Sequence, residues 1–405
     1  MMKHLLTYLL LLGLTTMVVA GDVKIDADFP GGNIQVLGID GDNVRLQRDI
    51  RDTEGDWFYW SFRVRGAEGR TLNFEFAGDV IGTCGPAVSR DDGVTWRWLG
   101  DIGFSQRKFE YAFDPDEKEV LFGMGMNHTE KDLKRFLEKH QDNPNLKLET
   151  LCQSKKGRDV ELLRIPGRGK DADFKVFLSS RHHCCEMMAT YTLEGIIDAV
   201  LSESDDGTWL RDHCDFFIMP FVDKDGVEDG DQGKNRKPHD HNRDYWKRIY
   251  PEVQAITEQV PVWQAGNPIF WFDMHCPWLR GGADGDKPEQ GTNEYLYLVG
   301  SESEEVWKMQ QRFGKILETI MKGSIPYKES FNLPYGKSWN SAANTDSGLQ
   351  SNSQWGSTLP NRVFASSIEI PYANASGVVV DADSARMLGN DLAGAIRVYL
   401  ETLEN

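Results

Sequence analysis

Two histidines and a glutamate carry the most specific chemical signal in this chain. His183 and Glu186 stand three residues apart, just after the apolar run Lys175-Val176-Phe177-Leu178 and before a helical pattern. At a strand-to-helix turn, that spacing can aim an imidazole and a carboxylate at one point. Two protein ligands make a weak zinc site, so a third is expected at the end of a neighbouring strand. His275, closing Phe272-Asp273-Met274-His275, supplies it. Two histidines and one carboxylate leave a fourth position open, the arrangement of catalytic rather than structural zinc. H-x-x-E alone is a common chance pattern. Its weight comes from three further segments: Asp223-Lys224-Asp225-Gly226-Val227, the stretch from Asn235-Arg236 to Asn242-Arg243, and Ser366-Ser367-Ile368-Glu369.

These residues need a rigid frame. From about Leu146 the pattern alternates between short apolar runs and amphipathic ones. Phe216 to Val222, Ile269 to Met274 and Phe364 to Ile370 read as core strands. Ala189, Leu193, Ile196, Ile197, Val200 and Leu201 fall on one helical face, and Glu304–Lys322 and Asp383–Leu403 read as long helices. This is the signature of an α/β unit with a mixed or parallel sheet. The segment Asp22 to about Phe122 differs: it is aromatic and β-prone, with turns at Glu54-Gly55 and Asp91-Asp92-Gly93. It reads as a β-sandwich, followed by a helix over Thr129–His140 that Thr129 caps with Asp132 at the capping-box position. The expected organisation is a secretory segment over 1–20, a β-sandwich domain over 21–140 and an α/β domain over 146–405.

Taken in order, these motifs resemble the zinc carboxypeptidases of the carboxypeptidase A type, in the cytosolic carboxypeptidase-like branch. The resemblance rests on H-x-x-E, D-G-V after a strand, the N-R pair, D-x-H ending a strand and the late glutamate, across about Leu146 to Asn405. It implies an α/β/α catalytic domain behind an N-terminal β domain and one zinc per chain on His183, Glu186 and His275. It also implies that Glu369 is the general base, that Arg236 faces the charge developing on the scissile carbonyl, and that Asn242 and Arg243 hold the substrate's terminal carboxylate. A guanidinium suits that last task because its fork matches a carboxylate. The implied activity is hydrolysis of the C-terminal peptide bond, or of a glutamyl side-chain bond. A zinc deacylase of N-acyl amino acids and an inactive peptide-binding protein are the alternatives.

The chain departs from the family pattern in places. Cys184-Cys185 stands where the branch has Pro-Gly, and the gap from Arg236 to Asn242 is short. Tyr335 and Tyr372 are the candidates for a lid tyrosine, and a cis Cys276–Pro277 bond is expected. Arg362 and Lys337 are the cations that could read an acidic substrate side chain.

Composition sets outer bounds. The chain has 405 residues, of which 40% are hydrophobic, and a formal net charge of -18. An acidic chain is a poor general partner for nucleic acid, which requires clustered Lys and Arg. Against that trend, Lys234, Arg236, Lys237, Arg243, Lys247 and Arg248 form a local basic stretch. Met1-Met2-Lys3, the apolar run Leu5–Val19 and small residues through Ala20 read as a signal peptide. Export, without a membrane span after cleavage, is therefore the expectation, with peptide or protein C-termini as partners. The six cysteines show no C-x-x-C and leave their redox state open.

Overall fold

The computed structural model describes residues 23–168, 172–281, 293–342 and 348–404. The expected secretory segment lies outside them. Among the described residues no helix is long and apolar enough to cross a membrane.

The N-terminal region forms two antiparallel-rich sheets, one of five strands and one of four. Thr71–Phe76 shows the expected alternation, with Leu72, Phe74 and Phe76 buried between exposed neighbours. The rings of Phe74 and Phe76 meet Trp60, Phe62, Phe109 and Phe122 in one aromatic core. This is the expected sandwich. The following helix, Glu130–Glu138, carries the predicted capping box of Thr129 and Asp132.

The second region is built on a seven-stranded sheet. Its order is Lys147–Gln153, Asp159–Ile165, Cys214–Met219, Phe174–Ser180, Ile269–His275, Arg362–Glu369 and Tyr297–Val299. The four strands from Cys214–Met219 to Arg362–Glu369 in that order are parallel, and the outer pairings are antiparallel. The parallel strands are buried on both faces, which is why their sequences are continuous apolar runs rather than alternating ones. Val176, Leu178, Phe216, Ile218, Phe270 and Phe272 pack on one side with helices Met187–Leu201 and Ala382–Glu404. Phe177, Phe217, Ile269 and Trp271 pack on the other with helix Pro251–Gln264.

The two regions are joined by more than chain continuity. The loop 228–236, after the strand Cys214–Met219, is fastened to the sandwich by many polar contacts. Gly31 N–H donates to the Glu228 carbonyl (2.9 Å), and Asn33 Nδ2 donates to the Gly230 carbonyl (2.7 Å). Gln232 exchanges hydrogen bonds with both backbone groups of Tyr59. The Asp52 carboxylate accepts from the backbone N–H groups of Gln232 and Gly233, each at 2.9 Å. The N-terminal region thus fixes the position of this loop.

Candidate active site

In an open parallel sheet, functional groups gather at the carboxyl ends of the strands. Phe174–Ser180 runs into the turn that bears His183 and Glu186. Ile269–His275 ends on His275, and Arg362–Glu369 ends on Glu369. The register pairs His275 with Glu369 on adjacent strands. Three segments distant in sequence are therefore brought together by strand order alone.

His183, Glu186 and His275 present ligand atoms within 4.8 Å of one another. His183 Nδ1 lies 2.9 Å from Glu186 Oε1, and His275 Nδ1 lies 2.7 Å from Glu186 Oε2. Both rings turn the same nitrogen toward the carboxylate. The outward nitrogens face other groups: His275 Nε2 is 2.6 Å from Asp273 Oδ2, and His183 Nε2 is 3.7 Å from Asp240 Oδ1. A carboxylate behind each ligating imidazole is the arrangement that fixes ring orientation at zinc sites. The donor set and its backing therefore fit zinc. His182, the neighbour of His183, takes no place in the set. Its two nitrogens are occupied by Asp273 Oδ1 (2.9 Å) and the Tyr245 hydroxyl (2.8 Å).

Glu369 lies beside this set. Its Oε2 is buried without a hydrogen-bond partner. Burial, with the neighbouring Glu186 carboxylate adding to it, pushes its carboxyl up to about 7, against the pull of His275 and Lys234. Glu369, His183, His275, Asn242 and Arg243 line one cavity of about 730 Å³. Asn242 is fixed through its own side chain, which accepts from the Asn352 N–H (3.0 Å) and meets His275 Nε2 (3.3 Å). Arg243 has no ion-pair partner among the described residues, although its guanidinium faces the cavity and hydrogen-bonds only the Asn242 carbonyl. An unpaired guanidinium facing a cleft is a ready receptor for a carboxylate.

Arg236 is placed otherwise than expected. It does not line the cavity. Its guanidinium is spent on three carboxylates: Asp52 (2.9 Å), Asp223 (2.6 Å) and Asp231 (3.0 Å). The physical reason is the neighbourhood. A partly buried cation that can satisfy one buried acid and two half-buried ones is held by them and not released to a cleft. Lys234, two residues earlier, takes the position at the cavity wall, with Nζ 2.6 Å from Glu186 Oε1 and 4.7 Å from the centre of the Trp57 ring. Burial opposes its charge, but Glu186, Cys185 and Glu369 outweigh that and hold its pKa above the ordinary lysine value.

Neither Lys234 nor Trp57 was singled out as a site residue by sequence reasoning. Lys234 had only its membership of the basic stretch as a signal, and Trp57, from the sandwich, had none. Arg362 pairs with Glu305 (3.0 Å), and neither it nor Lys337 lines the cavity. Tyr335 does line it, whereas Tyr372 is buried and donates to the Cys185 carbonyl (3.3 Å).

The Cys184-Cys185 turn has a local explanation. Arg181, at a positive φ of 62°, folds back so that its Nε donates to the Cys184 carbonyl (2.7 Å), while Nη1 donates to the His128 carbonyl (2.9 Å). Cys184 Sγ meets the Asp231 carbonyl at 2.9 Å. Burial pushes the Cys184 thiol well up and the Cys185 thiol up to about 12. Neither thiol belongs to the cluster of ligand atoms formed by His183, Glu186 and His275. All six cysteines are free. The Cys276–Pro277 bond is trans, contrary to expectation; the cis bond among the described residues is Lys237–Pro238.

Comparison with known proteins agrees with this arrangement. Residues 133–268 match the zinc carboxypeptidase family, Peptidase_M14. Cytosolic carboxypeptidase 2 of Xenopus tropicalis is 30% identical over 352 residues, which cover 76% of this chain and 35% of that protein. The chain spans less than two thirds of the curated relatives it matches, from 63% down to 18% of their length among the first. Among solved structures, a metallo-carboxypeptidase from Burkholderia cenocepacia superposes with a TM-score of 0.74 at 19% identity, covering 94% of this chain and 99% of that one. A metallo-carboxypeptidase from Pseudomonas aeruginosa, solved with (2-guanidinoethylmercapto)succinic acid, gives 0.70 at 22% identity, covering 94% and 100%. At these identities the structures establish a shared fold across both regions. The family match and the homology to cytosolic carboxypeptidases show that this chain carries a zinc carboxypeptidase domain of the Peptidase_M14 type.

Proposed function

We propose that the protein is an exported zinc metallocarboxypeptidase that removes the last residue of a peptide. One observation carries the reading: His183 and His275 of the His183–Glu186–His275 set line a single cavity with Arg243, which has no ion pair among the described residues, and with Glu369, whose buried Oε2 has no hydrogen-bond partner. A zinc ion held by the three ligands supplies a Lewis acid that polarises a carbonyl and acidifies water.

The chain's own groups supply the rest. Arg243 and Asn242 bind the free C-terminal carboxylate and so restrict attack to the last bond. Glu369 takes a proton from the attacking water and passes it to the departing amine. Its raised pKa suits both halves of that task, since a base poised near neutrality can also release the proton. Export rests on the N-terminal sequence alone.

Metal analysis of the purified protein, combined with peptide hydrolysis by wild type and Glu369→Gln, tests the proposal. One zinc in each form, with turnover in wild type reduced by about 10²–10⁴ in the variant, is expected for loss of a general base. Zinc without turnover on any peptide, or turnover only on N-acyl amino acids, would refute it.

A further inference from the structure

The displacement of Arg236 leaves the scissile carbonyl without its expected cation. We infer that Lys234 fills that role: its ammonium donates a hydrogen bond to the carbonyl oxygen as negative charge builds on it. This rests on the carboxypeptidase reading above.

Among the described residues, the lysines and arginines that line the cavity are Lys234 and Arg243. Arg243 stands next to Asn242, where the terminal carboxylate binds, and one guanidinium cannot clamp that carboxylate and also serve the carbonyl one bond away. Lys234 stands at the metal side, with Nζ 2.6 Å from the ligand Glu186, and lines the same cavity as Glu369. It is therefore beside both the ligand set and the base, which is where the reacting carbonyl must lie.

A cation contributes most to a transition state when it need not move to meet the charge. A lysine stem is flexible, so its position has to be imposed. Gln232 and Gly233, the two residues before Lys234, are bonded to Asp52 through both backbone N–H groups. Gly233 adopts φ +78°, and a Cβ there would fall 2.4 Å from the Cys184 backbone nitrogen. The Lys234 ammonium rests over the Trp57 ring. Asp52 and Trp57 both belong to the N-terminal domain. That domain thus places the cation, which explains why the catalytic region carries it.

The step balances simply. Water oxygen bonds to the carbonyl carbon, the carbonyl π pair moves to its oxygen beside Lys234, and the water proton goes to Glu369. Collapse restores the carbonyl, breaks the C–N bond and returns the proton from Glu369 to the amine. Lys234 keeps its proton throughout.

The rival role for Lys234 is a counter-ion that merely retains Glu186 and its metal. Lys234→Met and Lys234→Arg separate the two when four readouts are combined: kcat and KM, zinc content, and calorimetric affinity for a phosphonate dipeptide analogue and for a free product amino acid. Loss of a preorganised donor costs about 10²–10³ in kcat. The expected result for Lys234→Met is a loss of that size with KM little changed, one zinc retained, weakened phosphonate binding and unaltered amino-acid binding. Lys234→Arg should recover part of kcat. The inference is overturned by a Met variant that keeps wild-type kcat and phosphonate affinity, or by one whose entire defect follows zinc loss and is restored by added zinc. A wild type that hydrolyses no peptide would instead refute the function proposed above.

Discussion

Replacing Arg236 with alanine separates a structural clamp from a catalytic group. Arg236 donates to Asp52, Asp223 and Asp231, whose side chains are 10%, 1% and 17% exposed. Removing the cation from a buried pair costs about 3–5 kcal/mol, because the partner charge stays buried and uncompensated. Here three acids lose it at once, although Asp231 can recover some water. Unfolding entropy of about 2.1 cal/mol/K per residue makes each kcal/mol worth about 1 °C at this length, so Tm should fall by about 4–6 °C. Acid should shrink the deficit, and the sign can be worked from the carboxyls. Burial, and then Asp52, push Asp231 up to about 6. Its folded pKa exceeds its unfolded one, so its contribution is present at low pH and is lost as pH rises through about 6. Asp223 is buried too, yet Arg236 and His241 hold its pKa below the ordinary carboxylate value. Without Arg236 both pKa values rise. The variant is therefore weakest relative to wild type near pH 8 and closest to it near pH 5. Differential scanning calorimetry across that range measures this. Activity per folded molecule should stay within about tenfold, or about 1.4 kcal/mol of barrier, because Asp52 still fastens Gln232 and Gly233. An Arg236→Ala protein of wild-type Tm with kcat reduced by about 10³ would return Arg236 to the catalytic role and refute this reasoning.

Three other outcomes follow from the same geometry. Asp273→Asn removes the carboxylate behind His275 Nε2 and should weaken zinc affinity by about 10–100-fold, measured by chelator competition; an unchanged affinity would show that Asp273 only packs. Gly233→Ala combines a left-handed backbone with a Cβ driven into the Cys184 backbone, and should cost at least about 1–3 kcal/mol together with zinc occupancy, read by thermal melts and metal analysis; wild-type values for both would contradict the close approach. Peptides ending in Glu should be cleaved no better than those ending in Gln, because neither Arg362 nor Lys337 lines the cavity; a tenfold preference for Glu, about 1.4 kcal/mol, would contradict that.

The sequence by itself determined the parts whose information is local. Apolar runs marked the parallel strands because burial on both faces leaves no alternation to read. The capping box at Thr129, the long helix Ala382–Glu404 and the H-x-x-E turn were legible for the same reason: their partners lie within a few residues. The strand-end pattern pointed to His275, the resemblance extended this to the roles of Glu369, Asn242 and Arg243, and the fold brings these into one cavity with His183. Only the tertiary structure decided between Arg236 and Lys234. Which of two cations two residues apart reaches the cleft depends on Asp52, Asp223 and Asp231, acids drawn from three separate segments and two domains. The same holds for Trp57, which becomes an active-site wall only when the sandwich docks on the loop 228–236. Long-range charge pairing and domain docking leave no periodicity in the chain, so neither can be read from local pattern.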